Sequence, residues 1–102
     1  MAPLELLILQ TLEAAPNHGF GIATYIDAVS GGLLSVEEGS LYPALHRMEK
    51  RGLLAAEWTK TAAGRKARLY KLTPSGRKRL SKARLQWAET AKGVNRLLRE
   101  QR

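Results

Sequence analysis

Apolar residues recur every three or four positions along the first half of the chain, a spacing that places them on one face of an α-helix. Segments 16–19 and 30–32, rich in glycine, proline and polar residues, separate three such stripes. Their apolar positions are Leu4, Leu7, Ile8 and Leu12, then Ile22, Tyr25, Ile26 and Val29, then Leu41, Leu45 and Met48. The pattern predicts three helices, the first over about 3–15 and the third ending near Arg51, where Gly52 suits a left-handed cap.

The start of the third predicted helix is less regular than its end. Ser35 is followed three residues later by Glu38, the spacing of a capping box in which each side chain binds the other's backbone N–H. Pro43 conflicts with a helix interior, because its ring clashes with the carbonyl four residues earlier and it lacks an N–H. Either Gly39 gives the backbone latitude there, or the regular helix begins near Ser40.

After residue 53 the period changes to two, which is typical of β-strands. Residues 54–60 and 68–73 alternate between two faces, and the basic segment between them contains Gly64. The two runs predict a hairpin in which Trp58 and Tyr70 pack against the helices. Thr73 followed by Pro74 indicates another helix start, with threonine as the cap and proline at the first helical position.

The last predicted helix carries an apolar stripe that is too long for the small body preceding it. The stripe consists of Leu80, Ala83, Trp87, Ala91, Val94, Leu97 and Leu98. Such a helix extends about 40 Å at ~1.5 Å per residue, so the stripe overhangs the rest of the chain. A second copy of the chain would cover it, which predicts a homodimer through these residues.

The order helix, helix, helix, hairpin, long helix predicts a mainly α, α+β fold. Residues 1–73 form a winged helix-turn-helix of three helices and a two-stranded wing, and residues 74–102 form a dimerisation helix. The apolar start of the chain contains Glu5 and Gln10, and no run reaches the roughly 18–20 apolar residues of a membrane span. We therefore expect a cytoplasmic protein without a signal peptide.

Composition removes several classes of function. The chain of 102 residues has no cysteine, which excludes disulfides and thiolate chemistry. Its two histidines, His18 and His46, lie in separate predicted elements, and neither has the spacing of a catalytic or metal-ligating group. We therefore expect no enzyme activity, no cofactor and no metal site.

The net charge of +8 is divided unequally along the chain. Residues 1–46 contain no lysine or arginine, whereas residues 47–102 hold all 17 of them. One side of the folded molecule is therefore expected to be strongly electropositive, which favours nucleic acid or an anionic membrane as the partner. A surplus of this kind also serves solubility alone, so charge does not distinguish nucleic-acid binding, membrane binding and solubility.

One run of the sequence has a specific resemblance. The segment EGSLYPALHRMEKRGLL at 38–54 is similar to the signature of the PadR family of transcriptional regulators. HGFGI at 18–22, Trp58, the segment 65–73 and Gly76 follow in the family's order and spacing. The single C-terminal helix resembles that of the family's smaller subgroup. The resemblance implies a bacterial homodimeric repressor on a pseudo-palindromic operator, in a family where some members respond to phenolic acids or hydrophobic drugs.

The outer face of the third helix is the candidate surface for reading double-stranded DNA. It presents Ser40, Tyr42, Pro43, His46, Arg47 and Lys50. Arg47 suits a bidentate contact with guanine, worth ~1–3 kcal/mol of discrimination, whereas Ser40 and Tyr42 suit phosphate oxygens. The alternatives are a second helix cap for Ser40, core packing for Tyr42 and a solvated surface position for His46.

The predicted wing adds a second basic surface. Arg65 and Lys66 follow the glycine near its tip, and Lys60 and Arg68 lie at its base, where a hairpin enters the minor groove or clasps phosphates. An exposed, mobile charged loop is the alternative. In the dimer stripe, Trp87 either lines a pocket for a small aromatic effector or only fills the interface.

Two other classes of function compete with a DNA-binding regulator. A winged helix also serves as a protein-binding or RNA-binding module, which predicts binding that is insensitive to DNA sequence. A membrane-surface role requires a basic amphipathic helix with a free apolar face, and the last helix qualifies only if the protein is a monomer.

Overall fold

The computed structural model describes residues 3–100, which fold into four α-helices and a three-stranded antiparallel sheet. In chain order the elements are α1 (Leu4–Ala14), β1 (Asn17–His18), α2 (Gly19–Val29), α3 (Glu38–Lys50), β2 (Leu54–Lys60), β3 (Lys66–Leu72) and α4 (Pro74–Glu100). The predicted winged-helix fold class is confirmed, including the long last helix. None of the helices in this part of the chain combines the length and apolarity required to cross a membrane.

The short strand β1 is the element that periodicity missed. Asn17 lies opposite Tyr70 and His18 opposite Leu69, so β1 adds a third strand beside β3. Two residues are too few to display an alternating pattern, and the proline and glycine around them indicate only a break. His18 also binds β3 through its ring, since its Nδ1 lies 3.0 Å from the Arg68 carbonyl oxygen.

One core joins the helices to the sheet. The apolar stripes of α1, α2 and α3 meet there, and β2, β3 and the start of α4 close it. Its most deeply buried side chains are Ile8, Leu9, Ile22, Leu41, Leu45, Met48 and Leu80. The stripe predicted for α2 is correct at Ile22 and Ile26, which are buried, and wrong at Tyr25 and Val29, which are 39% and 68% exposed.

The prediction for α3 is wrong at the start of the helix and correct at its end. The helix begins at Glu38 after Glu37, which makes no side-chain cap, so the predicted capping box is absent. Pro43 is then the sixth helical residue, past the first turn, and of the two explanations for it the late start near Ser40 is wrong. At the other end, Gly52 has φ 76°, and the cap predicted for it is confirmed.

Hydrogen bonds fasten the start of α4 to the end of α3. The Thr73 hydroxyl accepts a bond of 3.0 Å from the Gly76 N–H and donates one of 2.6 Å to the Gly52 carbonyl. Gly76 is buried against the backbone of Leu53. The helix start predicted from Thr73 and Pro74 is therefore correct, and it positions α4 beside α1.

Ion pairs between the acidic and basic halves of the chain fasten α4 and the end of α3 to α1. Glu5 accepts 3.0 Å and 2.7 Å bonds from Arg51 and Arg79, and Glu13 accepts one of 2.6 Å from Arg84. Burial raises the pKa of the Glu5 carboxyl, but the two arginines outweigh it and hold the pKa below its ordinary value of 4.5. The unequal charge distribution along the sequence is thus partly neutralised within the molecule.

The substitution Glu5→Gln is expected to lower the free energy of unfolding by about 1 kcal/mol at pH 7, because it removes a half-buried carboxylate shared by two arginines. The folded-state pKa of Glu5 is depressed, so its contribution is complete above the unfolded value of 4.5 and disappears as the pH falls through the folded-state pKa. Urea unfolding at pH 7 and at pH 3, at one fixed protein concentration, measures both effects.

Glu57→Gln is the matched control, since Glu57 is exposed on β2 and no ion pair to it occurs within residues 3–100. It should change the free energy little at either pH. An equal loss for Glu5→Gln at both pH values would show that the side chain matters through packing rather than charge.

Candidate nucleic-acid interface

The exposed face of α3 carries all the side chains of this helix that were predicted to face DNA. Leu41, Ala44, Leu45 and Met48 are buried against the body, which turns the remaining positions outwards. The exposed residues of this reading face are Ser40, Tyr42, Pro43, His46, Arg47 and Lys50. The 3.6-residue period alone produces this separation of faces, because every apolar position of the stripe lies on the inner side.

The wing consists of β2, β3 and the turn between them. The turn is closed by the Thr61 N–H donating to the Arg65 carbonyl at 2.8 Å, and Gly64 adopts φ 81° beside the tip. Lys60 and Lys66 lie directly opposite each other in the ladder, and both are exposed, as is Arg65. Like charges at opposed positions destabilise a hairpin, so an anion bound at the wing would relieve that repulsion.

Arg68, predicted to contact DNA at the base of the wing, is engaged within the chain. Its Nη2 lies 2.5 Å from Oε2 of Glu49 on α3, and its guanidinium stacks 5.1 Å from the ring centroid of Trp58. Trp58 was predicted to pack in the core and is 64% exposed instead. β2 leaves the body after Ala56, so the face that is buried at Leu54 has no core beneath it at Trp58.

Tyr42 combines the two roles that were weighed for it. Its ring packs so closely on α2 that a Cβ at Gly19 would lie 2.5 Å from its Cε1 atom, yet the residue remains partly exposed. Burial, the Glu38 carboxylate and the neighbouring Tyr70 raise the pKa of Tyr42. The hydroxyl therefore keeps its proton and is a hydrogen-bond donor at the edge of the reading face.

Basic side chains that form no ion pair within residues 3–100 lie on the reading face and the wing, and others lie along α4. Arg51, Arg68, Arg79 and Arg84 each pair with a glutamate. By contrast, no ion pair within residues 3–100 involves the remaining basic residues here, which are Arg47, Lys50, Lys60, Arg65 and Lys66. An exposed helix face beside a basic hairpin suits a polyanion with a groove, which is the shape of duplex DNA.

The apolar stripe of α4 divides into a covered part and an uncovered part. Leu80 is 1% exposed and Ala83 is also buried, both within the core of their own chain, so the prediction that they form a dimer interface is corrected. Beyond them the helix runs past the body. Trp87 and Val94 are about half exposed, Leu97 and Leu98 more so, and Ala91 is half-buried.

Comparison with known proteins adds the identity of the family. The Transcriptional regulator PadR-like family matches residues 8–82, most of the chain. The chain belongs to this family. Transcriptional regulator Rv3488 of Mycobacterium tuberculosis is 44% identical over 59 residues, which are 58% of this chain and 54% of that protein. The chain thus matches only about half the length of that relative.

Solved structures of PadR-like proteins and other regulators share the fold. A transcriptional regulator from Clostridium thermocellum aligns with a TM-score of 0.82 at 26% identity, covering 90% of this chain and 89% of its own. Bacillus subtilis PadR in complex with operator DNA aligns with a TM-score of 0.72 at 25% identity, covering 79% of this chain and 46% of its own. Members of the PadR-like family are transcriptional regulators, so the prediction that the chain is not an enzyme is confirmed.

Proposed function

We propose that the protein is a homodimeric repressor that binds a pseudo-palindromic operator, with α3 in the major groove and the wing on the adjacent backbone or minor groove. The observation that carries the proposal is the group of basic side chains on α3 and the wing that form no ion pair within residues 3–100, namely Arg47, Lys50, Lys60, Arg65 and Lys66. The similarity to Bacillus subtilis PadR, which was solved with operator DNA, supports the same partner. Because the proposed partner is chromosomal DNA, we expect the protein to act in the cytoplasm.

The side chains of α3 have separate roles in this proposal. Arg47 donates two hydrogen bonds to O6 and N7 of guanine, the commonest specific contact in the major groove. Ser40 and the protonated Tyr42 hydroxyl contact phosphate oxygens, while His46 and Lys50 lie on the same face on either side of Arg47. Pro43 exposes its ring toward the groove, where an apolar surface suits a thymine methyl group.

The uncovered part of the α4 stripe supports dimerisation. Trp87, Val94 and Leu98 continue the face on which Leu80 is buried, and within the described residues their own chain leaves 46%, 49% and 64% of them exposed. A two-fold dimer through this stripe would place two reading helices for two half-sites, as in other helix-turn-helix dimers. We therefore assign residues 1–73 to DNA binding and residues 74–102 to dimerisation, with the first turns of α4 also completing the core.

Trp87 is the candidate for effector binding in the dimer. It lines a small cavity of about 160 Å³ against α1, together with Glu5, Leu6, Arg79 and Thr90. A flat aromatic molecule stacked on the two Trp87 rings of a dimer would relieve repression by changing the spacing of the reading helices. Packing between the two copies alone is the simpler role for this ring.

Alanine substitutions distinguish base reading from backbone binding. Arg47→Ala is expected to reduce operator affinity about tenfold or more and to relax specificity at one base pair in each half-site. Lys66→Ala is expected to weaken binding to all sequences alike and to reduce the slope of log affinity against log salt by about one unit per lost phosphate contact. Selection of bound genomic fragments supplies the operator, and fluorescence anisotropy at several salt concentrations measures both effects.

Lys71→Ala is the control for Lys66→Ala. Lys71 lies on the same strand and is also exposed, but it projects from the opposite face of the sheet, beside Ala55 and Leu69. It should leave the salt slope nearly unchanged. If both Arg47→Ala and Lys66→Ala bound the operator as tightly as the parent, the assigned interface would be wrong. Binding by the parent that ignores DNA sequence would instead indicate an RNA-binding or protein-binding module.

A further inference from the structure

An acidic side chain, Glu49, lies beside the basic residues of the reading face. Glu49 is half-buried on α3, between the reading face and the wing, and its neighbours in sequence include Arg47, Lys50 and Arg51. Its carboxylate accepts a 2.5 Å hydrogen bond from Arg68 on β3. A carboxylate near bound phosphates repels them, so Glu49 is unfavourable for generic affinity to DNA.

Glu49 belongs to a connected group of side chains that spans α3 and both strands of the wing. The Arg68 guanidinium that it holds also stacks on Trp58 of β2, and the two residues are directly opposed in the ladder. The backbone carbonyl of Arg68 is held from the other side by the His18 ring. Glu49, Arg68 and Trp58 line a groove of about 490 Å³ between α3 and the wing.

The contribution of this group to folding stability is expected to be small. Both charged side chains are about one-third exposed, at 31% for Arg68 and 30% for Glu49, and ion pairs with that much solvent access stabilise proteins only slightly. Trp58 leaves most of its surface in water. The geometry nevertheless joins the two elements that contact DNA, whose separation must match the spacing between a base edge and the backbone beside it.

We propose that Glu49 is a specificity-determining positioning residue, which through Arg68 and Trp58 holds the wing at a fixed angle to the reading helix. The inference rests on the proposed DNA-binding function. On the operator, Arg47 must meet its base while Lys66 meets the backbone, and a fixed angle removes the cost of ordering the wing during binding. Non-specific DNA makes no demand on the base contact, so binding to it gains nothing from the fixed angle.

The substitution Glu49→Gln is therefore expected to affect binding to the two kinds of DNA differently. Loss of a negative charge should leave affinity for non-specific DNA unchanged or raise it. Affinity for the operator should fall, so that the specificity ratio, which is operator affinity divided by non-specific affinity, decreases about tenfold. The salt slope on the operator should not decrease, since Glu49 contacts no phosphate, and the thermal unfolding midpoint should hardly change.

Further variants separate a fixed wing angle from a direct phosphate contact by Arg68. Arg68→Lys keeps the charge but loses the planar group that stacks on Trp58 while binding Glu49, so it should lower the specificity ratio as Glu49→Gln does. Glu49→Gln and Arg68→Gln combined should cost little more than either alone, because both break the same contact. Glu57→Gln, which removes an exposed carboxylate from the opposite face of β2, should leave the ratio unchanged.

Titrating each variant with operator and with scrambled DNA of equal length tests the inference and the proposed function separately. A parent protein that prefers the operator while Glu49→Gln loses that preference supports both. If Glu49→Gln instead strengthened binding to both DNAs by the same factor, or Arg68→Lys kept the full preference, the positioning role would be overturned and the DNA-binding function would stand. A parent with equal affinity for both DNAs would overturn the proposed function, and the inference with it.

Discussion

The double substitution Val94→Glu and Leu98→Glu is expected to convert the protein to a monomer and to reduce operator affinity by about 100-fold or more. Both side chains lie on the exposed continuation of the α4 stripe, so four added carboxylates would be buried together in a two-fold interface. A monomer engages one half-site at a time and loses the 10²–10⁴-fold gain, roughly, that linked binding provides. Light scattering after gel filtration measures the mass, and anisotropy measures the affinity.

Leu85→Glu provides a matched control on the same helix. Leu85 is 70% exposed, like its counterparts in the stripe, but it projects from the opposite side of α4. This variant should remain a dimer and bind the operator as the parent does. A parent protein that is monomeric at micromolar concentration would overturn the dimer, and would leave α4 as a free basic amphipathic helix whose binding to anionic vesicles is then the measurement to make.

Periodicity predicts the helices well because each one buries a single stripe against a shared core. Ile8, Ile22 and Leu45 are all fully buried, as their spacing indicates. The same reasoning fails where an apolar stripe extends beyond the core. Trp58 and Val29 have the correct phase for burial, but the chain has already left the body at those positions. The length of a core is a tertiary property, and no local pattern encodes it.

Local sequence likewise predicts only some features of the candidate interface. Exposure of Arg47 and Lys50 follows from the phase of α3 alone. The engagement of Arg68 by Glu49 does not, because the two residues meet only when the wing folds back beside the helix. The signal available in the sequence was a lone glutamate within a basic run, which indicates a partner without identifying it.

The stripe of α4 shows that one apolar pattern is buried over only part of its length within its own chain. Leu80 and Trp87 occupy equivalent positions seven residues apart, yet Leu80 completes the core of its own chain and Trp87 is left half exposed. Spacing alone assigned both to the dimer. The distinction depends on where α4 begins, and hydrogen bonds from Thr73 to Gly52 and from Gly76 to Thr73 determine that start.

Replacing Gly76 by alanine is expected to lower the free energy of unfolding by about 3 kcal/mol, the upper part of the range for overpacking in a rigid site. A Cβ at this position would overlap the carbonyl oxygen of Leu53. That oxygen has little freedom to move away, because it accepts a hydrogen bond from the Thr73 N–H at 3.2 Å. Relief therefore requires the start of α4 to shift away from α3. Urea unfolding followed by circular dichroism measures the loss.

Gly93→Ala tests whether the effect belongs to the site or to glycine in a helix. Gly93 lies in the same helix, and a Cβ there meets no atom within 4 Å. The substitution should raise stability by about 0.5–1 kcal/mol, because alanine loses less backbone freedom than glycine when a helix forms. Two variants of identical chemistry are thus expected to change stability in opposite directions. If both stabilised the protein, the close approach of α4 to Leu53 would be wrong, and with it the contact that positions α4 relative to α3.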